Sequence, residues 1–350
     1  YLANVGKMTI AEDGAITTEL ISTADVSDAA VAATAEAWIN DVDAMLGEQI
    51  ATTDIKFYIN DPATSKRRIR MGETNLGDFV ADAYLALAWH GGIMADIGLV
   101  NGGGIRADIP AGDITYNQII KVHPYGNMAC VVEATGQEIL DALEMASRNT
   151  MAEYVSESVD EDGNKVYNAV GEMGGFLQVS GLKYTIDLNI ASSVKLDDKS
   201  MFVAVEGLRR VKNIQVLNQA GEYEPLDLEK TYKLASHNYM LKSGGDGINM
   251  FMDNKVLQDE VMIDNQVLIT YVRDSLKGVV GDAYANPYGE GRITITDMPY
   301  TDVHEGQFFY EPVKFVDGQG YMEGIGDGLF APNQTLNRAM AVSYTHLTLS

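Results

Sequence analysis

Residues 101–112 read NGGGIRADIPAG, directly after the apolar run IGLV at 97–100. Three consecutive glycines weaken any helix or strand, because glycine loses more backbone freedom on folding than any other residue. A buried strand that breaks into glycines therefore marks a strand end whose loop needs bare backbone. Bare backbone exposes N–H donors and admits a close neighbour. Arg106 adds a planar fork suited to phosphate or carboxylate.

Three other segments share this character: RMGETN at 70–75, HPYGNM at 123–128 and YMLKSGGDG at 239–247. Each sets glycine or small residues beside a polar group at the edge of a regular element. Arg70 supplies a second guanidinium fork. Tyr125 and Tyr239 offer flat faces on which a nucleobase could stack, and Asp246 can accept the two hydrogen bonds that a ribose diol requires. Together these groups have the chemistry of a nucleoside or nucleotide pocket. Each piece also has a plain structural reading: GGDG as a tight turn, Arg106 paired with Asp108 or Asp113, Arg70 paired with Glu73, and the tyrosines as packing. Residue chemistry alone does not bring the four segments together.

The elements around them follow from periodicity. VGKMTIAEDGAITTELI at 5–21 reads as a hairpin turning at EDG. A helix is expected from about Ser27 to Leu46, with Val31, Ala35, Trp38, Val42 and Met45 as one stripe. Leu76, Phe79, Val80, Ala83, Tyr84 and Leu87 form the apolar face of the next helix, capped by Thr74 or Asn75. Thr135 and Glu138 form a capping box before Ile139, Leu140 and Leu143. VDEDGNKV at 159–166 reads as a polar hairpin tip, and its Asp160-x-Asp162-Gly163 lacks the ligand run of a calcium loop. LKYTIDL, KSMFVAVE, IQVLN and TYKLASHNYM read as strands, DNQVLITYVRDSLKG as a helix ending at glycine, and GRITITDMP as a final strand. The sum is an α+β domain over residues 53–297. Residues 300–342, crowded with aromatics and glycines, form a separate small module.

Composition narrows the function. The 350 residues are 46% apolar, enough for a sizeable core, and 50 acidic against 25 basic residues give a net charge of −25. A field of that sign disfavours nucleic acid and anionic membranes, so an anionic small substrate needs a local arginine cluster or a metal. Cys130 is the only cysteine, so no disulfide is expected and it reads as a small buried apolar residue. No apolar run is long enough to span a membrane. The chain opens YLANVGKMTI, without Met, and reads as a piece that starts inside a larger protein.

The string RMGETNLGDFVADAY … NGGGIRADIPAGDITYNQIIKVHPYGNMACVVEATGQEILDALE … GGFLQVSGLKYTID … SGGDG resembles the C-terminal, nucleoside-binding domain of the 5′-nucleotidase family. That family also includes UDP-sugar hydrolases and 2′,3′-cyclic-nucleotide phosphodiesterases. The resemblance implies an α+β fold with a mixed sheet and helices. It implies that Arg70 and Arg106 contact ribose or phosphate oxygens, that Asn101 and Asn127 hydrogen-bond the nucleoside, and that Tyr125 and Tyr239 stack on the base. Gly103 and Gly174 would lie close to the ligand, and Asp246 would hold the ribose hydroxyls. The glycines would let the chain pass close to the nucleoside. The spacing from Tyr239 to the glycine pair is one residue longer than in common family versions.

Family members cut phosphate esters with two divalent metal ions in a separate N-terminal metallophosphoesterase domain, whose ligands include D-x-H and G-N-H-[DE] motifs. The second motif is absent here, and Asp302-Val303-His304 is the only D-x-H, falling in the small module as a surface turn. Residues 1–24 are thus expected to be the remnant of that domain and 25–52 its linker helix, with no metal held by this chain. Residues 300–342 resemble one S-layer homology repeat through Asp302-Val303, Phe308-Phe309-Tyr310, Gly320-Tyr321-Met322, Phe330-Ala331-Pro332 and Asn337-Arg338-Ala339, Asn337 standing where Thr is usual. Such a repeat implies a secondary cell-wall polymer as partner and an extracellular, wall-associated bacterial location. SYTHLTLS at 343–350 breaks the expected helix and reads as a non-native tail. The leading expectation is the substrate-binding part of a 5′-nucleotidase-like phosphoesterase. A non-catalytic nucleoside- or wall-binding module, or a spacer, is the alternative.

Overall fold

The computed structural model describes residues 4–24, 27–90, 92–150, 158–159, 165–166, 172–326 and 328–335. The chain divides into two units, Tyr1–Glu48 and Gln49–Ser350. In the first, strands Asn4–Ile10 and Ile16–Ser22 pair antiparallel with Ile10 opposite Ile16, as the EDG turn predicts. Helix Ala29–Leu46 follows, with Asp28 accepting from the backbone N–H groups of Ala30 and Val31. Val31, Trp38 and Val42 on it are exposed.

The second unit is built on mixed sheets. Among the described residues its centre is a five-stranded sheet in the order Val256–Gln258, Ala129–Thr135, Thr231–His237, Ile97–Asn101, Leu177–Ser180. Only the pairing of Thr231–His237 with Ile97–Asn101 is parallel. Helix Asn75–His90 covers one face, with Leu76, Phe79, Val80, Ala83 and Tyr84 buried as the spacing predicts. Thr74, not Asn75, supplies the cap by accepting from Gly77 N–H at 3.0 Å. Asn75 instead donates to the carbonyls of Lys56 and Tyr284. Helix Gly136–Ser147 opens on the expected capping box of Thr135 and Glu138. Cys130 is buried.

A four-stranded sheet runs Tyr223–Pro225, Val211–Leu217, Leu182–Asp187, Ile293–Thr296. Strand Gln49–Thr53 lies between Gly112–Thr115 and Val279–Val280, so it belongs to this unit although the linker was expected to reach residue 52.

Two elements differ from expectation. The strand read through 231–240 ends at His237, and Asn238–Leu241 forms a helical turn. There Asn238 Oδ1 accepts from Met128 N–H and the Asn238 carbonyl accepts from Lys242 N–H, which bends the chain off the sheet. The helix beginning at Asp264 widens into a π turn over Tyr271–Ser275 before Gly278 turns at φ +80°. Strands Ser158–Val159 and Lys165–Val166 pair as the polar hairpin requires; its tip, with Asp160, Asp162 and Gly163, lies outside the described residues.

Residues beyond 297 add helix Tyr310–Gly318 and a small core of Tyr300, Val303 and Val313. Asp302 of the lone D-x-H accepts from the N–H groups of Phe330 and Ala331, at 2.8 and 2.7 Å, so it serves a turn. Asn337, Arg338, Ala339 and the 343–350 tail lie outside the described residues. No described helix is long and apolar enough to cross a membrane.

Candidate functional site

Sheet topology collects the four glycine-rich segments. Parallel strands end at the same edge, so Asn101 and His237, each last in its strand, are neighbours. The antiparallel strands on either side begin at that edge, with Ala129 opposite His237 and Leu177 opposite Asn101. The loops at 101–106, 123–128, 172–176 and 238–247 therefore all leave or enter one sheet edge. The Arg68–Arg70 turn joins them, its Arg70 carbonyl accepting from Met173 N–H at 3.2 Å.

At that edge a cleft of about 610 Å³ is lined by Arg70, Asn101, Gly103, Gly104, Arg106, Tyr125, Asn127, Gly174, Tyr239 and Asp246. All nine residues singled out in the sequence line this cleft, and Gly104 is the addition. The glycine triplet acts first on the protein itself. A Cβ on Gly102 would overlap the Ile69 carbonyl, and one on Gly103 would stand 2.9 Å from the Gly174 Cα. Bare backbone thus lets the Arg68–Arg70 turn and the Gly174 segment close against the strand end.

Neither guanidinium takes the intrachain partner its neighbours in sequence offered. Asp108 accepts from Ile59 N–H, Asp113 accepts from Gln49, and Glu73 accepts from the N–H groups of Arg292 and Ile293. Arg106 Nη1 donates to the Gly103 carbonyl at 3.4 Å, and its guanidinium lies 5.9 Å from the Tyr125 ring centre. Arg70 stands 3.8 Å and Arg67 3.9 Å from Glu172. Burial, then repulsion from Arg106 and Arg67, lowers the Arg70 pKa below its ordinary value. Arg70 and Arg106 are thus the two cations that line the cleft, in a chain of net charge −25.

The rest of the lining is polar and aromatic. Tyr125 is 59% and Tyr239 39% exposed. Asp246 lies in the left-handed region at φ +55°, between Gly244 at +62° and Gly247 at +86°. Asp tolerates that conformation better than most residues. The turn directs Asp246 Oδ2 at Asn101 Nδ2, 2.8 Å away, while the Asp246 N–H donates to the Tyr239 hydroxyl at 3.1 Å. Asn127 gives its N–H and Nδ2 to buried Asp264 at 3.0 and 3.3 Å.

Beneath the cleft lie His123, His237 and Tyr84, all buried. His123 Nδ1 is 3.0 Å from the Gly104 carbonyl and His237 Nε2 is 3.2 Å from Asn101 Oδ1. Burial lowers His123, and burial together with His123 pushes His237 down to about 3, so both rings are neutral at pH 7. Sequence reasoning passed over His237, Asp264, Glu172 and Arg67. His237 closes an apolar strand and reads there as core, whereas Asp264 opens a helix and reads as an end-capping residue. Their spacing from Tyr239 and Asn127 carried no signal. Among the described residues no three His, Cys, Asp or Glu side chains gather as a metal site.

The sequence over residues 49–253 matches the family model of the 5′-nucleotidase C-terminal domain, and residues 299–341 match that of the S-layer homology domain. The trifunctional nucleotide phosphoesterase protein YfkN of Bacillus subtilis is 28% identical over 79% of this chain, which spans 16% of that protein. The cell wall protein Lmo0130 of Listeria monocytogenes is 27% identical over 67% of this chain, which spans 25% of it. Among solved structures, the 5′-nucleotidase precursor from Thermus thermophilus superposes on 85% of this chain and over 50% of its own length, with a TM-score of 0.58 and 28% identity. Matched over more than half its length, in the domain whose loops build the cleft, this chain belongs to the 5′-nucleotidase family, and an S-layer homology domain follows its nucleotidase domain.

Proposed function

We propose that the cleft holds the nucleoside part of a nucleotide, and that the chain is the substrate-binding part of a cell-surface 5′-nucleotidase-type phosphoesterase. The observation that carries this reading is the convergence of Arg70, Arg106, Tyr125, Tyr239 and Asp246, from separate segments, on one cleft of nucleoside size. Tyr125 and Tyr239 flank the base, Asp246 takes the ribose hydroxyls, Asn101 and Asn127 hydrogen-bond the nucleoside, and the guanidiniums take phosphate or ribose oxygens. Gly103 and Gly174 keep the floor low. Family membership and the likeness to nucleotide phosphoesterases support the same substrate class.

Hydrolysis in this proposal belongs to a preceding metallophosphoesterase domain, where two divalent ions would activate water and stabilise the phosphoryl oxygens. The hairpin Asn4–Ile10 with Ile16–Ser22 is assigned to that domain and helix Ala29–Leu46 to the connection. The S-layer homology domain would hold the enzyme to a secondary cell-wall polymer outside the cell, in keeping with the cell wall protein among its relatives.

Titration calorimetry of the purified chain with adenosine and AMP tests the reading. Both ligands are expected to bind, Arg106→Ala and Tyr125→Ala to weaken AMP at least tenfold, and the chain alone to release no phosphate. Unchanged affinity in both variants, or metal-dependent phosphate release from AMP by this chain, would overturn it.

A further inference from the structure

Two contacts under the cleft determine a proton's position. Asn101 Nδ2 stands 2.8 Å from Asp246 Oδ2, and Asn101 Oδ1 stands 3.2 Å from His237 Nε2. A carboxylate only accepts, so Asn101 presents its NH₂ to Asp246 and its carbonyl oxygen to His237. The imidazole must then donate from Nε2. With the proton on Nδ1 instead, Nε2 would face the Asn101 oxygen lone pair to lone pair. Flipping the amide to relieve that contact would set its oxygen 2.8 Å from a carboxylate oxygen, again acceptor against acceptor.

The surroundings hold this arrangement in place. Asn101 and His237 are buried, and the Gly104 backbone crowds the Asn101 oxygen so closely that a Cβ there would lie 2.9 Å away. The His237 ring stacks on Tyr239 at 6.2 Å and 26°, and its other aromatic neighbour, Tyr84, is 5.9 Å away. One side chain thus touches two lining residues of the cleft: Tyr239 through its ring face, and Asn101 through its edge. Asp246 Oδ2 is committed to Asn101. Its other oxygen stands 2.9 Å from where a Gly174 Cβ would be, against the residue that lines the cleft floor.

We propose that His237 is a positioning residue, which locks the Asn101 amide as a donor to Asp246 and so presents the second Asp246 oxygen to the cleft as an acceptor for a ligand's vicinal diol. The proposal rests on the nucleoside reading of the cleft and deepens it: the ligands favoured are ribonucleosides over nucleosides that lack the diol. His237 does not touch the ligand and acts through Asn101.

The test compares adenosine with 2′,3′-dideoxyadenosine by calorimetry on the full chain and its variants. The wild-type chain is expected to favour adenosine. His237→Phe keeps the ring face and removes the donor. It is expected to weaken adenosine about tenfold, the effect of losing one hydrogen bond that orders a charged group, and to leave dideoxyadenosine unchanged. His237→Gln, with an amide N–H in reach of Asn101, is expected to restore most of the preference. Equal weakening of both nucleosides, or no rescue by Gln, overturns the proposal. Nitrogen-15 NMR of labelled histidine in the unaltered chain reads the tautomer without any variant: Nε2–H is expected, and Nδ1–H overturns the proposal. Should the wild-type chain bind neither nucleoside, the nucleoside reading and the diol role fall together, while the tautomer still decides the His237–Asn101–Asp246 chain.

Discussion

Replacing Lys212 by Met tests how the S-layer homology domain is joined to the nucleotidase domain. Lys212, on strand Val211–Leu217, reaches Asp187 at 3.0 Å and Asp317 at 2.6 Å. Asp187 ends strand Leu182–Asp187, whereas Asp317 lies on helix Tyr310–Gly318 beyond the nucleotidase domain. Both carboxylates are buried, and Asp317 also accepts from the Tyr300 hydroxyl at 2.5 Å. Burial, followed by the nearness of Asp317, pushes Asp187 up to about 6 against the pull of Lys212. Burial also opposes charge on Asp317, but hydrogen bonds from Asp187, Lys212 and Tyr300 outweigh it and hold Asp317 below its ordinary value. Asp187 is therefore the member that keeps a proton longest.

Met fills the space without the charge. Removing one partner of a buried ionic group costs on the order of 3–5 kcal/mol. The sign with pH follows from Asp187. Its folded pKa is raised, so its contribution is full below the ordinary carboxylate value and fades as pH rises through about 6. Without the ammonium the pair holds its proton to higher pH, at about 1.4 kcal/mol per unit between the wild-type and variant values. Urea unfolding at pH 5 and pH 8, with proteolysis at 297–300 as the local readout, is expected to show a smaller loss at pH 5, where the lost pairing is that of Asp317, and the full loss at pH 8, where Asp187 is ionised as well. Asp187→Asn added to Lys212→Met is expected to recover part of the loss at pH 8. A loss independent of pH, with no recovery in the double variant, would refute the reasoning.

Glu144 accepts from Val211 N–H at 3.0 Å and is pushed up to about 7, chiefly by burial. Its contribution therefore falls as pH rises from the ordinary carboxylate value through about 7. Glu144→Gln is expected to gain on the wild type over that interval, by on the order of 3 kcal/mol at most, and a pH-independent difference in urea unfolding would contradict this. Gly103→Ala places a methyl group 2.9 Å from the Gly174 Cα, where only backbone could yield. It is expected to cost roughly 1–3 kcal/mol in thermal unfolding and to weaken nucleoside binding, and a variant as stable as wild type would contradict the close packing of the two segments.

Several elements were legible because their causes are local. The Asn75–His90 helix follows from apolar residues at helical spacing, the Gly136–Ser147 helix from a capping box, and the first hairpin from EDG between strands. The nine cleft residues were legible from residue chemistry together with a family resemblance in segment order; chemistry alone left Arg106 with Asp108 or Asp113, and Arg70 with Glu73, as equal options. Where a strand stops was less legible. TYKLASHNYM has strand composition throughout, and the strand ends at His237 where Asn238 accepts from the N–H groups of Met128 and Lys242.

Local order in the chain determined which residues have the right chemistry and which helices and strands carry them. Tertiary structure decided that they meet, because one parallel pairing flanked by two antiparallel ones delivers four loops to a single sheet edge, and strand order is not written in the spacing of any one segment. It also decided the supporting residues. His237 and Asp264 matter through partners 136 and 137 positions away, and a hydrogen bond over that separation leaves no periodic trace in sequence.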